Sequence, residues 1–265
     1  MAKIRYREQT DFEELVFNNF TNELNKFKED ISKLLPNDIK IVAKNESQKK
    51  LINSIKNNEI TICTGPAGTG KTFVAIAYAL SLLRKPNNFY KKIYLVKSVT
   101  TLKGEEIGFL KGDMKEKIEP FMWSFYINIE KIIPNNILKT LIENEIIRPF
   151  PLAYMRGASL DNCIIIADEV QNVSLDNSRT LLTRIGNNCK LILLGDTNQI
   201  DMKNKEDSSL NVLVKMFENV DNIGTIIMSD IDTNIRNPLI TVIENKYKEF
   251  YSKKSSEYDE LFKIP

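Results

Sequence analysis

A short apolar run, Ile60-Thr61-Ile62-Cys63-Thr64, breaks into Gly65-Pro66-Ala67-Gly68-Thr69-Gly70-Lys71-Thr72. The spacing Gly65-x-x-x-x-Gly70-Lys71-Thr72, after a strand-like run and before a helical pattern, is that of a phosphate-binding loop. Its residues follow from the task. In the nucleotide-binding run Gly65, Pro66, Ala67, Gly68, Thr69 and Gly70, the glycines let the backbone curl, so that its N–H groups and the next helix's N-terminus face a β-phosphate. Lys71 then reaches the β- and γ-phosphates as a point charge, and Thr72 offers its hydroxyl to Mg²⁺.

A second apolar run, Ile164-Ile165-Ile166-Ala167, delivers Asp168-Glu169. At the C-terminal end of a strand in an open α/β sheet, Asp168 is placed to hold Mg²⁺ through water. Glu169 is placed to orient and deprotonate an attacking water. Adjacent carboxylates favour hydrolysis over transfer to a small acceptor. A third run, Leu191 to Leu194, leads into Gly195-Asp196-Thr197-Asn198-Gln199. A glutamine there can bond both a γ-phosphate and a water, but on spacing alone a plain polar turn is the stronger reading.

Composition narrows the chemistry. The 265 residues contain no histidine, which removes histidine triads and histidine metal sites and leaves carboxylate, lysine, arginine and metal-phosphate chemistry. Three cysteines, Cys63, Cys163 and Cys189, each lie in or beside a strand-like run and read as small apolar core residues, too scattered for a disulfide framework or a zinc site. A formal net charge of +2 does not by itself argue for nucleic acid. The apolar runs are far shorter than the roughly 20 residues that cross a bilayer. The charged N-terminus lacks a signal-peptide core, so a cytoplasmic protein without a membrane partner is the expectation.

The elements that must position these residues alternate. Strands are predicted at 60–64, 93–96, 146–148, 163–167, 191–194 and 223–228, and helices at 72–83, 113–132, 175–185, 210–217 and 238–250. Such alternation predicts an α/β fold, a mainly parallel sheet with helices on both faces. Apolar residues from Phe12 to Leu35 recur at helical spacing until Pro36, predicting an N-terminal helical extension. The organisation is then an extension over 1–38, one domain over 39–250 and a charged tail over 251–265.

Several longer stretches together resemble the PhoH-like ATPase family, related to the first motor domain of superfamily 1 helicases. They are NESQ (Asn45–Gln48), GPAGTGKT, GEEIGFLKGD (Gly104–Asp113), PLAYMRGASL (Pro151–Leu160), ADEVQN (Ala167–Asn172), LTRIG (Leu182–Gly186) and GDTNQID (Gly195–Asp201). The resemblance covers about Asn45 to Phe250. It implies a P-loop NTPase with a RecA-like core that hydrolyses ATP with Mg²⁺. By the same resemblance Gln48 is the glutamine that reads adenine; an equal reading is a capping box, with Asn45 capping a helix and Gln48 reaching back. Gln199 becomes a γ-phosphate sensor. Arg236, in Thr233-Asn234-Ile235-Arg236-Asn237, is the first choice for a γ-phosphate contact, with Arg156 and Arg184 as alternatives; each could instead be a structural ion-pair partner.

The chain departs from the family pattern at Lys97-Ser98-Val99, where Arg-Pro is common, at Lys111, a frequent proline, and at Val170, usually alanine. The first two departures fall in the segment expected to face a substrate. Lys97, Ser98, Thr100, Lys103, Lys111 and Arg156 are candidates for contacts with RNA or single-stranded nucleic acid. Superfamily 1 motors grip ATP between two such domains. Only one is expected here, so the resemblance implies a homo-oligomer, a hexameric ring, whose neighbour completes the site. The alternative is an ATP-gated protein interaction module with slow hydrolysis and no nucleic-acid substrate.

Overall fold

Strands at the centre of a parallel sheet are covered on both faces, which is why they read as unbroken apolar runs. In the computed structural model, β1 (Ile60–Thr64) and β5 (Cys189–Gly195) are buried at every position. The residues described are 31, 33–85, 89–98, 114–155, 157, 159–202, 204–228, 239, 242, 243, 245–247, 249 and 250. The remaining strands are β2 (Lys92–Lys97), β3 (Ile147–Pro149), β4 (Cys163–Asp168) and β6 (Ile223–Ile227). All six pair in parallel in the order β3-β2-β4-β5-β1-β6. Pro149 closes β3 at the sheet's edge, the place where a missing N–H is tolerated.

The helices are α1 (Glu46–Asn57), α2 (Lys71–Arg84), α3 (Met114–Glu130), α4 (Asn135–Glu143), α5 (Leu175–Leu182) and α6 (Ser209–Met216). Residues alternating along each strand point to opposite faces. Cys63, Leu95, Ile164, Ile166, Ile192 and Leu194 therefore join α1 to α4 in one apolar layer, and Ile62, Val96, Ile165, Leu191 and Leu193 join α5 and α6 in the other. The expected two-faced parallel sheet is present. At the end of the predicted N-terminal helix, Ile31 and Leu35 are buried in the first layer, and Pro36 accepts a 2.7 Å hydrogen bond from Arg84 Nε. The rest of that helix lies outside the described residues.

This topology creates the site. The helix leaving β1 packs on one face, whereas those leaving β4 and β5 pack on the other. Where connections diverge in this way, a crevice opens beyond the C-terminal ends of the strands. Gly65, Glu169 and Asp196 all follow directly from the strands that end at that edge.

The three cysteines are free and buried in the core, as expected. Cys163 and Cys189 are scattered in sequence but register neighbours on β4 and β5, with sulfurs 3.6 Å apart. Their mutual hydrogen bond, with burial, raises the Cys163 thiol above its ordinary range. Among the described residues no helix is long and apolar enough to cross a membrane.

Candidate nucleotide site

Helix α2 starts without a side-chain cap. Its N-cap is Gly70 at φ 82°, a left-handed conformation that L side chains rarely adopt. The glycine turns the loop so that the first helical N–H groups face outward into a cavity of about 500 Å³. That cavity is lined by the loop, by Gln48 before it, by Asp168, Glu169, Asp196 and Gln199 from the strand ends, and by Ser124, Asn128 and Lys131 of the α3 side.

Lys71 is buried beneath the loop and donates to the carbonyls of Gly65 (2.6 Å) and Pro66 (2.8 Å). Burial lowers its pKa from the usual lysine value, and the charges of Asp196, Asp168 and Glu169 are among those that oppose this. Below it, burial pushes the Cys63 thiol up to about 12, so that position stays neutral at physiological pH. Thr72 Oγ1 donates to Asp168 Oδ2 at 2.9 Å. A hydroxyl and a carboxylate in contact are hard oxygen donors of the kind Mg²⁺ takes, with phosphate oxygens and water completing its shell. Burial and the adjacent Glu169 charge raise the Asp168 pKa, against the opposing hydrogen bonds from Thr72 and from the Glu169 N–H. A dication beside Asp168 would offset both effects.

Glu169 adopts φ 59° and ψ 35°, again left-handed, a conformation that costs roughly 1–3 kcal/mol for a side chain of this kind. Its N–H is held by Asp168 Oδ1 at 3.0 Å and its Oε2 by Gln171 Nε2 at 2.6 Å. Gln171 Nε2 also donates to the Gln199 carbonyl (3.0 Å), and its Oε1 accepts from the Asp196 N–H (3.0 Å). Asp196 Oδ2 in turn accepts from the loop N–H of Ala67 at 3.0 Å. The spacing of the sequence brought attention to Glu169 and Gln199 but not to Gln171 or Asp196, which join them. The available signal was a glutamine two residues after the acidic pair, followed by an asparagine, between the apolar Val170 and Val173.

Gln48 makes capping contacts and also borders the cavity. Asn45 Oδ1 accepts from the Gln48 N–H at 2.8 Å, capping α1, while Gln48 Oε1 reaches back to the Lys44 N–H (2.9 Å) rather than to that of the cap itself. Gln48 Nε2 donates to the Thr69 carbonyl at 2.9 Å and lines the cavity, leaving one N–H and one lone pair for a base.

One expected phosphate contact lies away from the cavity, and another lies near it. Arg184 follows α5, where Leu160 and Ile185 form a bridge before β4 and β5 begin. That is the opposite end of the strands, one strand length or roughly 20 Å from the cavity, so Arg184 does not reach the phosphate loop of its own chain. Lys97, at the end of β2, donates to Ser124 Oγ (3.0 Å), and its charge acts on Asp168. It therefore stands beside the carboxylate pair. Thr100, Lys103, Lys111, Arg156 and Arg236 lie outside the described residues.

A parallel sheet with the phosphate loop after β1, the acidic pair after β4 and β5 between them defines a P-loop NTPase with a RecA-like core. Within that class the chain belongs to the PhoH-like protein family, whose model matches residues 40–248. It is 36% identical over 207 residues to the PhoH-like protein of Bacillus subtilis (strain 168), covering 78% of this chain and 64% of that protein. It is 35% identical over 206 residues to the PhoH-like protein of Synechocystis sp. (78% and 62%), and 31% identical over 188 residues to Protein PhoH of Escherichia coli K12 (70% and 52%). The chain thus spans between half and two thirds of the length of these relatives. Among solved structures, it is similar to the large terminase of a thermophilic bacteriophage in complex with ADP, at a TM-score of 0.40 and 12% identity, over 78% of this chain and 50% of that one.

Proposed function

We infer that the chain hydrolyses ATP with Mg²⁺. The observation that carries this reading is the carboxylate pair at the end of β4: Asp168 touches the Thr72 hydroxyl, and Glu169 borders the same cavity with its side chain held. The Gly65–Thr72 loop takes the phosphates, and Lys71 leaves the Gly65 and Pro66 carbonyls for the β- and γ-oxygens; Thr72 and Asp168 are the residues that would hold Mg²⁺, which would supply positive charge to the transferring phosphoryl group. Water attacks the γ-phosphorus as the bond to the ADP oxygen breaks, and Glu169 accepts the water's proton. Glu169→Gln keeps shape and volume but removes the base. Turnover is expected to fall by about 10²-fold or more, with ATP binding, read by fluorescence titration of a labelled analogue, retained. Hydrolysis that survives the substitution removes Glu169 from this role.

By family resemblance, Gln199 reads the γ-phosphate, Arg236 contacts it, and turnover is coupled to RNA or single-stranded nucleic acid in a ring. A second reading, an ATP-gated interaction module, draws on Trp123 and Ile127, which are 68% and 46% exposed on α3, the helix whose adjoining face lines the cavity at Ser124 and Asn128. Turnover measured with and without saturating RNA separates the two: stimulation supports the coupled motor, and an unchanged rate supports the module.

A further inference from the structure

Gln171 is fully buried, yet each of its hydrogen bonds runs to a part of the site. Its Nε2 donates to Glu169 Oε2 (2.6 Å) and to the Gln199 carbonyl (3.0 Å), and its Oε1 accepts from the Asp196 N–H (3.0 Å). The partners fix the orientation of the amide. Turned over, it would set its oxygen against a carboxylate and a carbonyl and its NH₂ against an N–H, so that all three bonds fail.

We propose that Gln171 is a positioning residue for hydrolysis, which locks the Glu169 carboxylate to the turn from Asp196 to Gln199 and thereby selects Glu169 Oε1 as the oxygen that takes the proton. The proposal rests on Glu169 as the base. A buried amide is costly unless its polar atoms are paired, and an apolar side chain would fill the same space in this layer. What the amide adds is a tie between two strand ends that belong to different parts of the reaction. One end carries the base, and the other carries the glutamine assigned to the γ-phosphate.

The surroundings are shaped for that tie. A Cβ at Gly195 would come within 2.5 Å of Gln171 Oε1, so the amide occupies room that only a glycine leaves. Glu169 has its main chain pinned by Asp168 in a left-handed conformation and its Oε2 pinned by Gln171. Glu169 lines the cavity, and of its two carboxylate oxygens Oε1 is the one without a hydrogen bond among the described residues. A displacement of the Gln199 turn would pass through one amide to the base, so contact with the γ-phosphate and readiness of the base would be linked.

The test uses the full chain as wild type, Glu169→Gln, Gln171→Met and the double variant, with kcat and KM for ATP measured for each. Gln171→Met, close in size and without amide groups, is expected to lower kcat by about 10- to 100-fold, the scale of a misplaced catalytic group, with KM changed less than about 3-fold. The double variant should turn over no more slowly than Glu169→Gln alone, because the positioning residue has no base left to position. A wild-type kcat in Gln171→Met overturns the proposal, as does an equal further loss in the Glu169→Gln background. Undiminished turnover in Glu169→Gln overturns the underlying assignment of the base instead. Should Gln171→Met fail to fold, Gln171→Glu replaces it. The new carboxyl keeps an acceptor for the Asp196 N–H but donates to Glu169 Oε2 only when protonated. Its deficit is expected to narrow as pH falls from about 8.5 to about 6, and a deficit independent of pH counts against the positioning role.

Discussion

Asp168 shows what a single residue gives up for the site. Burial, and then the charge of Glu169, raise its pKa above the ordinary 3.8, so ionising it costs more in the folded chain than in the unfolded one. As pH rises through 3.8 the unfolded chain ionises first; stability falls across the window above that value, and the penalty is complete once pH exceeds the folded-state pKa. Asp168→Asn removes the titration while keeping an acceptor for the Glu169 N–H and a partner for Thr72. The nucleotide-free variant is expected to melt higher than wild type near neutral pH. The advantage should shrink toward pH 3.8, and Mg-ATP should protect only the wild type. A lower melting temperature near neutral pH would mean that the bonds from Thr72 and the Glu169 N–H outweigh desolvation. The residues of this centre were legible in the sequence because the chemistry requires Lys71, Thr72, Asp168 and Glu169 at strand ends in fixed local patterns. Gln171 and Asp196 were not, because they act through main-chain N–H groups 25 and 129 residues away, at Asp196 and Ala67.

At the scale of elements, β5 is the piece on which the site turns. It lies between β1 and β4, paired in parallel with both, so its end can shift toward neither neighbour without breaking a ladder. Gly195 closes it. A methyl group there would come within 2.5 Å of Gln171 Oε1 and 2.6 Å of Leu210 Cδ2. Overpacking of this sort costs about 1–3 kcal/mol, and with β5 held on both sides the side chains must yield. Gly195→Ala is therefore expected to lower both the melting temperature and kcat, with little change in KM for ATP. If only stability falls, Leu210 has absorbed the strain and the amide has stayed in place. The strands themselves were legible as apolar runs, down to the short β3, although its Pro149 falls one residue past the predicted end. Helix α4 was missed despite Ile137, Leu138, Leu141 and Ile142 at helical spacing, because its nine residues sit between louder signals. The strand order could not be read locally. Pairing of β4 and β5 between β1 and β2 is a product of crossovers and long-range packing, and no single segment encodes it.

For the whole molecule, the deciding quantity is the positive charge at the γ-phosphate. Among the described residues the cavity is lined by three cations, Lys44, Lys71 and Lys131, and by no arginine. Lys71 supplies one point charge, whereas an arginine at the transferring phosphate is worth roughly 10³ to 10⁵ in rate, so the proposed hydrolysis calls for one. The described Arg184 lies at the opposite end of the strands, and Arg236 and Arg156 are the remaining candidates from the family pattern. An arginine at the far edge of one subunit can serve only the cavity of another, which is the arrangement a ring provides. If a neighbour completes the site, specific activity should rise with protein concentration between about 10 nM and about 10 µM as subunits associate, and Glu169→Gln with Mg-ATP should run in light scattering as an assembly. Arg184→Ala should then lose kcat although its own cavity is intact, and mixing it with Lys71→Ala should recover activity, since each supplies what the other lacks. A constant specific activity from a species that stays monomeric throughout assigns the charge to the same chain. Arg236→Ala should then abolish turnover at every concentration.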